Sequence, residues 1–323
     1  MRMRYWIPAC AGMTMYACTG IAHAQVYPSK PIRFVVPFVP GGSADFFARQ
    51  IGPDLSEKLG QQVVIDNRGG AAGTIGAEIG ARAAPDGYTI VLATANMAMN
   101  VSLYPKWPVN PARDFIAVSH LGSAPNIIAV HPSLPVKSVK ELIALAKAKP
   151  GQIRYASGGS GSTSHLATEL FKTVTGIDLL HVPYKGTGPA TVAVLSGESS
   201  VFVPPASTVL PHEKTGKLRA LAISSAARFE AAPHLPTVAE AGVPGYEASQ
   251  WYGVMLPKGA PKAIVSRLNG ELVKIVQSPE FKSRMLAQAT MVSGTTPEQF
   301  AKYLNDEIAK WAKAVKYSGA KVE

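Results

Sequence analysis

The chain has 323 residues, which is too long for one ordinary hydrophobic core and suits two domains. With 47% apolar and 16% charged residues it is globular, which excludes an intrinsically disordered chain. The net charge of +11 comes from positive residues scattered singly along the chain, without the basic cluster that nucleic-acid binding requires. We therefore expect no nucleic-acid partner.

Residues 1–24 predict a signal peptide for secretion, although an atypical one. Arg2 and Arg4 precede a mostly apolar segment, and residues 22–24, Ala-His-Ala, match a cleavage site before Gln25. Pro8 is among the residues that interrupt the apolar segment, which makes the match a poor one. The prediction is an exported protein that lies in the periplasm.

Both cysteines of the chain, Cys10 and Cys18, lie in this first segment. Cys18 gives a weak match to a lipoprotein signal, which we rank below ordinary secretion. A mature chain that begins near Gln25 would have no disulfide and no thiol chemistry. No later stretch approaches about 18 uninterrupted apolar residues, so no membrane span is expected in the mature chain.

From residue 31 onward, short β-type runs alternate with helical stretches, which is typical of a mainly parallel sheet with helices on its faces. The predicted strands are 32–36, 63–66, 89–93, 115–120, 127–131, 153–156, 179–182, 201–203, 218–223 and 252–256. Helix starts are predicted at the capping-box pairs Ser138/Glu141, Thr237/Glu240 and Thr296/Gln299, and at Ser278 before Pro279.

The stretch 34–49, FVVPFVPGGSADFFAR, has the order strand, glycine turn, helix. Its turn, residues 38–43, is called the glycine loop below. Amide groups at a glycine turn that opens a helix lack partners, and the helix dipole adds partial positive charge there, so the turn favours an anion. We interpret Asp45 as a charge that the same helix N-terminus stabilises.

A second stretch, residues 156–165, ASGGSGSTSH, also follows a strand and precedes a helix. Its residues 157–163 are called the serine loop below, and Ser157, Ser160, Ser162 and Thr163 supply neutral hydrogen-bond donors. Either loop alone is explained equally well as a flexible connection with a helix cap. Two such loops at the carboxyl ends of strands favour a ligand site.

Three further motifs are candidates for ligand contact. The segment 181–190, HVPYKGTGPA, offers Tyr184 as a pocket wall and Lys185 as either a carboxylate partner or a solvated charge. Thr94 and Asn96 follow the end of the strand 89–93, and residues 249–253, SQWYG, either pack or contact the ligand.

Enzymatic readings have little support in the sequence. Gly158 to Ser162 reads GGSGS, which lacks the last glycine of a G-x-S-x-G elbow, so a secreted serine hydrolase that uses Ser160 or Ser162 with His165 stays only as the alternative. Nucleotide-binding glycine motifs are missing, and the seven histidines are too dispersed for a zinc site. We expect no catalytic residue, no cofactor and no metal.

Two regions, near residues 118–126 and 245–253, join α/β units through Gly, Pro and Ser. A chain that crosses out and back would build lobe 1 from residues 25–123 and 247–323, and lobe 2 from residues 124–246. Such a topology suits hinge closure round a ligand.

Taken together, several long motifs resemble one family in its own order. They include YPSKPIRFVVPFVPGGSADFFAR, SVKELIALAKAKPGQIRYASGGSGSTSHLATELF and LPTVAEAGVPGYEASQWYG. The chain closely resembles the Bug family, the periplasmic solute-binding components of tripartite tricarboxylate transporters, from about residue 27 to its end. The resemblance implies an α/β two-lobe periplasmic-binding-protein fold (type II, Venus flytrap) with two crossing strands. It also implies a monomer that captures a small carboxylate and delivers it to a membrane permease without chemistry; a ligand-sensing partner of a membrane receptor is a further alternative.

The resemblance implies that the ligand carboxylate meets backbone amides, small hydroxyls and bound waters rather than a bidentate arginine. Carried onto this chain, it points to Phe38, Val39, Gly41, Gly42 and Ser43 with Asp45 in support, to Ser157, Ser160, Ser162 and Thr163, and to Tyr184 with Lys185. The chain departs from the family at residues 197–207, where Ser200 and Pro204 stand at positions that are often acidic. Because the turn at residues 203–206 faces the cleft in the family, we add Pro204 and Pro205 and expect a less acidic wall.

Overall fold

The structure, a computed structural model, describes Met3 and residues 27–318. The strands are β1 (Ile32–Val36), β2 (Val63–Asn67), β3 (Thr89–Thr94), β4 (Phe115–Pro125), β5 (Ile127–Val130), β6 (Arg154–Ser157), β7 (Leu180–Pro183), β8 (Val201–Phe202), β9 (Arg219–Ile223), β10 (Ser249–Pro257) and β11 (Met291–Val292). The helices are α1 (Ser43–Leu59), α2 (Thr74–Ala81), α3 (Ala95–Leu103), α4 (Pro111–Asp114), α5 (Val139–Ala148), α6 (Thr163–Thr175), α7 (Thr187–Leu195), α8 (Ala206–Lys214), α9 (Lys262–Gln277), α10 (Pro279–Leu286) and α11 (Pro297–Ser318). No helix within these residues is long and apolar enough to cross a bilayer. Apart from Met3, the predicted signal segment lies outside the described residues.

The first sheet contains six of the described strands, in the order β11-β4-β10-β3-β1-β2. β1 runs parallel to β2 and β3, whereas β10 runs antiparallel to β3 and β4. Phe34 of β1 packs with Phe47 of α1 and Leu268 of α9, while Val35 belongs to the apolar cluster on the opposite face. Burial on both faces explains why Phe34, Val35 and Val36 of β1 form an uninterrupted apolar run.

The second sheet contains five of the described strands, in the order β7-β6-β8-β5-β9. β6 is parallel to β7 and β8, and β5 is antiparallel to β8 and β9. Tyr155 of β6 packs with Leu142 of α5 and Leu166 of α6, and Phe202 faces a separate cluster with Val209 of α8. Together with the first sheet this makes the α/β fold of two sheets, one in each lobe.

The chain passes between the two sheets through two adjacent strands. β4 ends at Pro125 and β5 begins at Ile127, while β10 returns at Ser249, which pairs with Pro125. The Asn126 side chain donates from Nδ2 to the carbonyl of Ala248 at 2.7 Å and so ties the two crossings together. The crossings fall inside the predicted regions, and the lobe borders at residues 123–124 and 246–247 stay a prediction.

The sheets are mixed, so the prediction of a mainly parallel sheet is wrong in part. Every predicted strand overlaps an observed one, but β4 and β10 are longer and run antiparallel along each other. Alternation of apolar residues reports which faces of a strand are buried, not the direction of its neighbours. A chain that crosses out on one strand and returns on the adjacent one must pair them antiparallel.

The helix predicted after Thr237 does not form, although its capping box does. The amide of Thr237 donates to Glu240 Oε2 at 2.9 Å, and the amide of Glu240 donates to Thr237 Oγ1 at 3.0 Å. One turn later Gly242 takes a φ of +103°, and Pro244 follows. Left-handed glycine ends a helix, so the segment remains a turn. The two-residue strand β11 was not predicted, because so short a run carries no periodic signal.

Candidate functional site

The glycine loop is fixed by hydrogen bonds that start from α1 and β2. Asp45 Oδ2 accepts the amide of Gly41 at 2.9 Å, and Arg49 Nε donates to both Asp45 oxygens. Burial raises the pKa of the Asp45 carboxyl, but the bonds from Arg49 and Gly41 outweigh it and hold the pKa below its usual range. Asn67 Nδ2 donates to the carbonyl of Phe38 at 3.0 Å. Asp45 therefore shapes the loop from inside, and its carboxylate is already occupied.

A second glycine-rich segment, residues 69–76, packs directly behind the glycine loop, and we call it the buttress. A Cβ added at Gly69 would lie 2.8 Å from the backbone nitrogen of Val39, and one at Gly76 would lie 2.6 Å from the Cα of Pro37. Only glycine allows this approach of two backbones. Sequence reasoning did not assign the buttress to the site, although its run of glycines was the available signal.

The serine loop is held mostly by its own side chains. Ser157 Oγ accepts the amide of Gly159 at 3.1 Å, and Ser164 Oγ accepts the amide of Gly158 at 3.0 Å. Ser162 caps α6 by accepting the amide of His165 at 3.3 Å. Its hydroxyl groups therefore satisfy the loop's own backbone before they can meet a ligand.

Three aromatic rings stack beneath the serine loop. The rings of His165 and His181 lie 4.1 Å apart, and that of Tyr155 lies 4.8 Å from His181. His165 Nδ1 accepts the amide of Gly161 at 3.1 Å, and His181 Nε2 lies 2.6 Å from Ser157 Oγ. The pKa of each histidine is lowered to about 4, mainly by burial, and the neighbouring His165 contributes to the shift of His181. Both rings are neutral near pH 7 and act as hydrogen-bonded props of the loop.

The two loops meet across a cavity of about 330 Å³ between the lobes, which we call the polar chamber. Its lining is Phe38, Val39, Gly42, Ser43, Ala44, Asn96, Ser162, Thr163, Thr187, Pro205 and Gln250. Within the described chain, five helices begin at this chamber: α1, α3, α6, α7 and α8. Each helix start carries unpaired amides and about half a positive charge, so the chamber is electropositive without any basic side chain.

A second cavity of about 300 Å³ adjoins the first, and we call it the aromatic chamber. The two cavities share Gly42, Ser43, Pro205 and Gln250, and so form one continuous cleft. The remaining lining is Gly41, Phe46, Phe47, Ala124, Ser207, Tyr252, Met285, Gln288 and Thr290. No charged side chain among residues 27–318 lines either chamber.

The structure brings together most of the residues that the sequence singled out. Those that line the cleft are Phe38, Val39, Gly41, Gly42, Ser43, Asn96, Ser162, Thr163 and Pro205. Those that do not line it are Asp45, Thr94, Ser157, Ser160, Tyr184, Lys185 and Pro204. Ser157, Thr94 and Pro204 are buried, whereas Ser160 and Lys185 are exposed. The Tyr184 hydroxyl donates to Glu198 at 2.9 Å, which turns this side chain toward its own lobe.

Sequence reasoning named the segments that contain Thr187 and Gln250 as candidates, but it singled out neither residue, nor Ser207. Gln250 is an amide side chain near the start of the otherwise mostly apolar strand β10, and this was the signal that could have found it. Along the strand Gln250 and Tyr252 face the cleft, while Trp251 points away and donates to Glu307 at 2.9 Å. Thr187 is the first residue of α7, and the pairing of β7 with β6 places that helix start beside the serine loop, which follows β6.

The structure does not pair Ser160 or Ser162, the nucleophiles of the hydrolase alternative, with a ring nitrogen of His165. His165 Nδ1 is occupied by the amide of Gly161, and the hydroxyl of Ser162 accepts the backbone amide of His165 rather than a ring nitrogen. Ser157 does contact His181, but Ser157 is 0% exposed and cannot reach a substrate. Among the described residues, no three His, Cys, Asp or Glu side chains are placed to hold a metal ion.

Comparison with known proteins places the chain in a family. The model of the tripartite tricarboxylate transporter family receptor, TctC, matches residues 47–319. Protein BugT of Bordetella pertussis is 40% identical over 312 residues, which cover 95% of this chain and 96% of that protein.

Two solved structures share the fold over almost their whole length. The R. palustris protein Rpa4515, solved with adipate, is 38% identical with a TM-score of 0.77, and the match covers 92% of this chain and 100% of that one. The periplasmic binding protein BugD is 34% identical with a TM-score of 0.73, again over 92% of this chain and 100% of that one. The resemblance and the two-lobe fold predicted from the sequence are thereby confirmed. The chain belongs to the tripartite tricarboxylate transporter receptor family, whose members are solute-binding receptors and not enzymes.

Proposed function

We propose that the protein captures a small carboxylate in the cleft between its lobes and delivers it to the membrane permease of a tripartite tricarboxylate-type transporter. The observation that carries the proposal is the convergence of five helix starts on the polar chamber. The chamber offers amides of α1 and α6 together with the hydroxyls of Ser43, Thr163 and Thr187.

The electrostatics of the chamber favour an anion of modest charge. One helix start stabilises an anion by about 0.3–1 kcal/mol, and up to about 2 kcal/mol where it is partly buried. Burial of a carboxylate is tolerated only when its oxygens are hydrogen-bonded, and several converging starts supply the donors. An acidic side chain would oppose the ligand, and none lines the chamber among the described residues.

The relatives support the same function. A carboxylate, adipate, is named with the solved structure of Rpa4515, and BugD is named as a periplasmic binding protein. We place this protein in the periplasm on that basis, with residues 1–24 as its signal and a monomer as its working form. The lobes, 25–123 with 247–323 and 124–246, would close on the ligand about the crossings near Asn126 and Ala248.

The proposed ligand contacts are the residues that line the cleft. Other predicted residues hold the two loops or lie close to the lining in the chain. Asp45 and Ser157 hold the two loops, whereas Thr94 lies two residues before the lining residue Asn96 and Pro204 immediately before the lining residue Pro205. Ser160, Tyr184 and Lys185 lie outside the lining, and lobe closure is the movement that would bring them to the ligand.

A thermal-shift screen of the ligand-free protein against mono-, di-, tri- and aromatic carboxylates tests the proposal. A true ligand at about 100 times its Kd should raise the free energy of unfolding by about 2–3 kcal/mol. No stabilisation by any carboxylate, with the protein confirmed free of retained ligand, would refute the function. Deletion of the partner permease separates transport from ligand sensing, since only uptake requires the permease.

A further inference from the structure

The two chambers of the cleft differ in electrostatic character. All five helix starts border the polar chamber, whereas only α1 and α8 border the aromatic chamber, on the side that the chambers share. The rest of its lining includes Met285 near the end of α10 and Gln288 and Thr290 just after it, where the carbonyls of Met285 and Leu286 already accept the backbone amides of residues 288–290. This part of the lining contains no helix start and so offers an anion no partial positive charge.

The aromatic chamber has a rigid apolar wall. The rings of Phe47 and Tyr252 stack 4.5 Å apart with 15° between their planes, and Phe281 meets Phe47 edge-on at 6.3 Å. Phe46 and Met285 complete the apolar surface. Burial raises the pKa of the Tyr252 hydroxyl to about 12, so it stays a neutral group throughout the physiological range.

The polar groups of the aromatic chamber are all neutral. They are the side chains of Ser43, Ser207, Gln250, Tyr252, Gln288 and Thr290, and no cation lines the chamber among residues 27–318. A second carboxylate placed there would lose its water without gaining a counter-charge or converging helix starts, which is costly. An uncharged apolar group would gain by leaving water.

We infer that the ligand is a monocarboxylate, with its carboxylate in the polar chamber and an uncharged apolar or aromatic body in the aromatic chamber. The inference rests on the proposed function, because it takes the site of the first carboxylate from there. A cavity of about 150 Å³ holds a benzene ring. The aromatic chamber, at about 300 Å³, therefore has room for a ring with a short linker.

Isothermal titration at pH 7 with acids of matched length tests the inference. Hexanoate and adipate have the same number of carbons and differ by one carboxylate, and 3-phenylpropionate adds an aromatic body. We expect hexanoate and 3-phenylpropionate to bind at least about tenfold more tightly than adipate. Adipate binding as tightly as hexanoate, or more tightly, would overturn the inference and leave the proposed function standing.

A bulky variant locates the body of the ligand. Ser207 is exposed at the start of α8, so Ser207→Trp adds an indole to the aromatic chamber without a buried clash. Val192→Trp is the matched control, because Val192 is 65% exposed on α7 and lines neither chamber.

Ser207→Trp should reduce the ratio of 3-phenylpropionate affinity to propionate affinity at least about tenfold, and Val192→Trp should leave the ratio as it is. An equal loss for both acids in Ser207→Trp would overturn the inference, because the body would then not reach the aromatic chamber. Absence of binding by every acid would instead remove the proposed function itself.

Discussion

The glycine loop and the serine loop both open a helix onto the polar chamber, but they are supported in different ways. Besides its hydrogen bonds with Asp45 and Asn67, the glycine loop is held by packing from outside, where the buttress at residues 69–76 contacts Pro37 and Val39. The serine loop is held by its own hydroxyls and by the ring of His165 beneath it. We therefore expect added bulk in the buttress to disrupt the glycine loop, and the loss of single hydrogen bonds to disrupt the serine loop.

The largest effect is expected from Gly76→Ala in the buttress. The added methyl would lie 2.6 Å from both the carbonyl oxygen of Arg68 and the Cα of Pro37, and overpacking of this kind costs about 2–3 kcal/mol. Denaturant unfolding measures the loss. The same substitution at Gly270, a helical glycine with nothing within 4 Å, should stabilise the protein by up to about 1 kcal/mol. Equal effects at both positions would show that the buttress does not bear on the loop.

The next effect is on binding, in Gly42→Val. Gly42 has a φ of −84°, and a Cβ there would lie 3.8 Å from the carbonyl oxygen of Val39, so the fold should accept a side chain. Because Gly42 lines both chambers, the new side chain should block the ligand and reduce affinity about 30-fold, or about 2 kcal/mol. Titration with the tightest carboxylate of the screen measures it, with Gly270→Val as control. Unchanged affinity would mean that the glycine loop is not a ligand surface.

The support of the serine loop should weaken at mildly acidic pH, whereas that of the glycine loop should weaken only at lower pH. His165 has a pKa of about 4 in the folded protein and an ordinary value near 6.5 when unfolded. The unfolded state therefore takes up a proton first, and stability should fall as pH drops from about 6.5 to about 4. Asp45, whose pKa lies below its usual range, loses its contribution only at lower pH, as pH falls through its folded value.

Unfolding free energies across this window, compared between the protein and His165→Gln, measure the contribution of one histidine. The slope of the unfolding free energy against pH should be smaller in the variant by up to about 1.4 kcal/mol per pH unit. His181 titrates in the same direction and keeps part of the slope, as does His120, whose pKa burial also lowers to about 4. An identical slope in the variant would show that His165 is not the neutral prop described above.

The smallest effect is expected from Ser162→Ala. Ser162 caps α6 and lines the polar chamber, so its loss should cost about 1 kcal/mol of stability and weaken carboxylate binding as well. Ser138 caps α5 outside the cleft, and Ser138→Ala should cost a similar amount of stability with no change in binding. Thermal unfolding and titration of both variants separate the cap from the site. Equal binding in the two variants would contradict a role for the serine loop in capture.

The sequence predicted the strands and both loop-to-helix turns because local chemistry determines them. β1 is an apolar run stopped by proline, and the starts of α5, α10 and α11 each carry a capping residue that the structure uses. Local chemistry also misled, since the Thr237 capping box leads only to a turn.

By itself the sequence determined the family and the two-lobe α/β fold, and it predicts that the two loops favour an anion. Only the tertiary structure decided that α3, α7 and α8 also begin at the same chamber, because their starts are far apart in the chain. It also decided which polar side chains face the cleft: Gln250 lines it, whereas Ser157 and Asp45 lie outside its lining and hold the loops. Local signals report how a segment folds, but the direction in which a helix start points depends on how whole lobes pack.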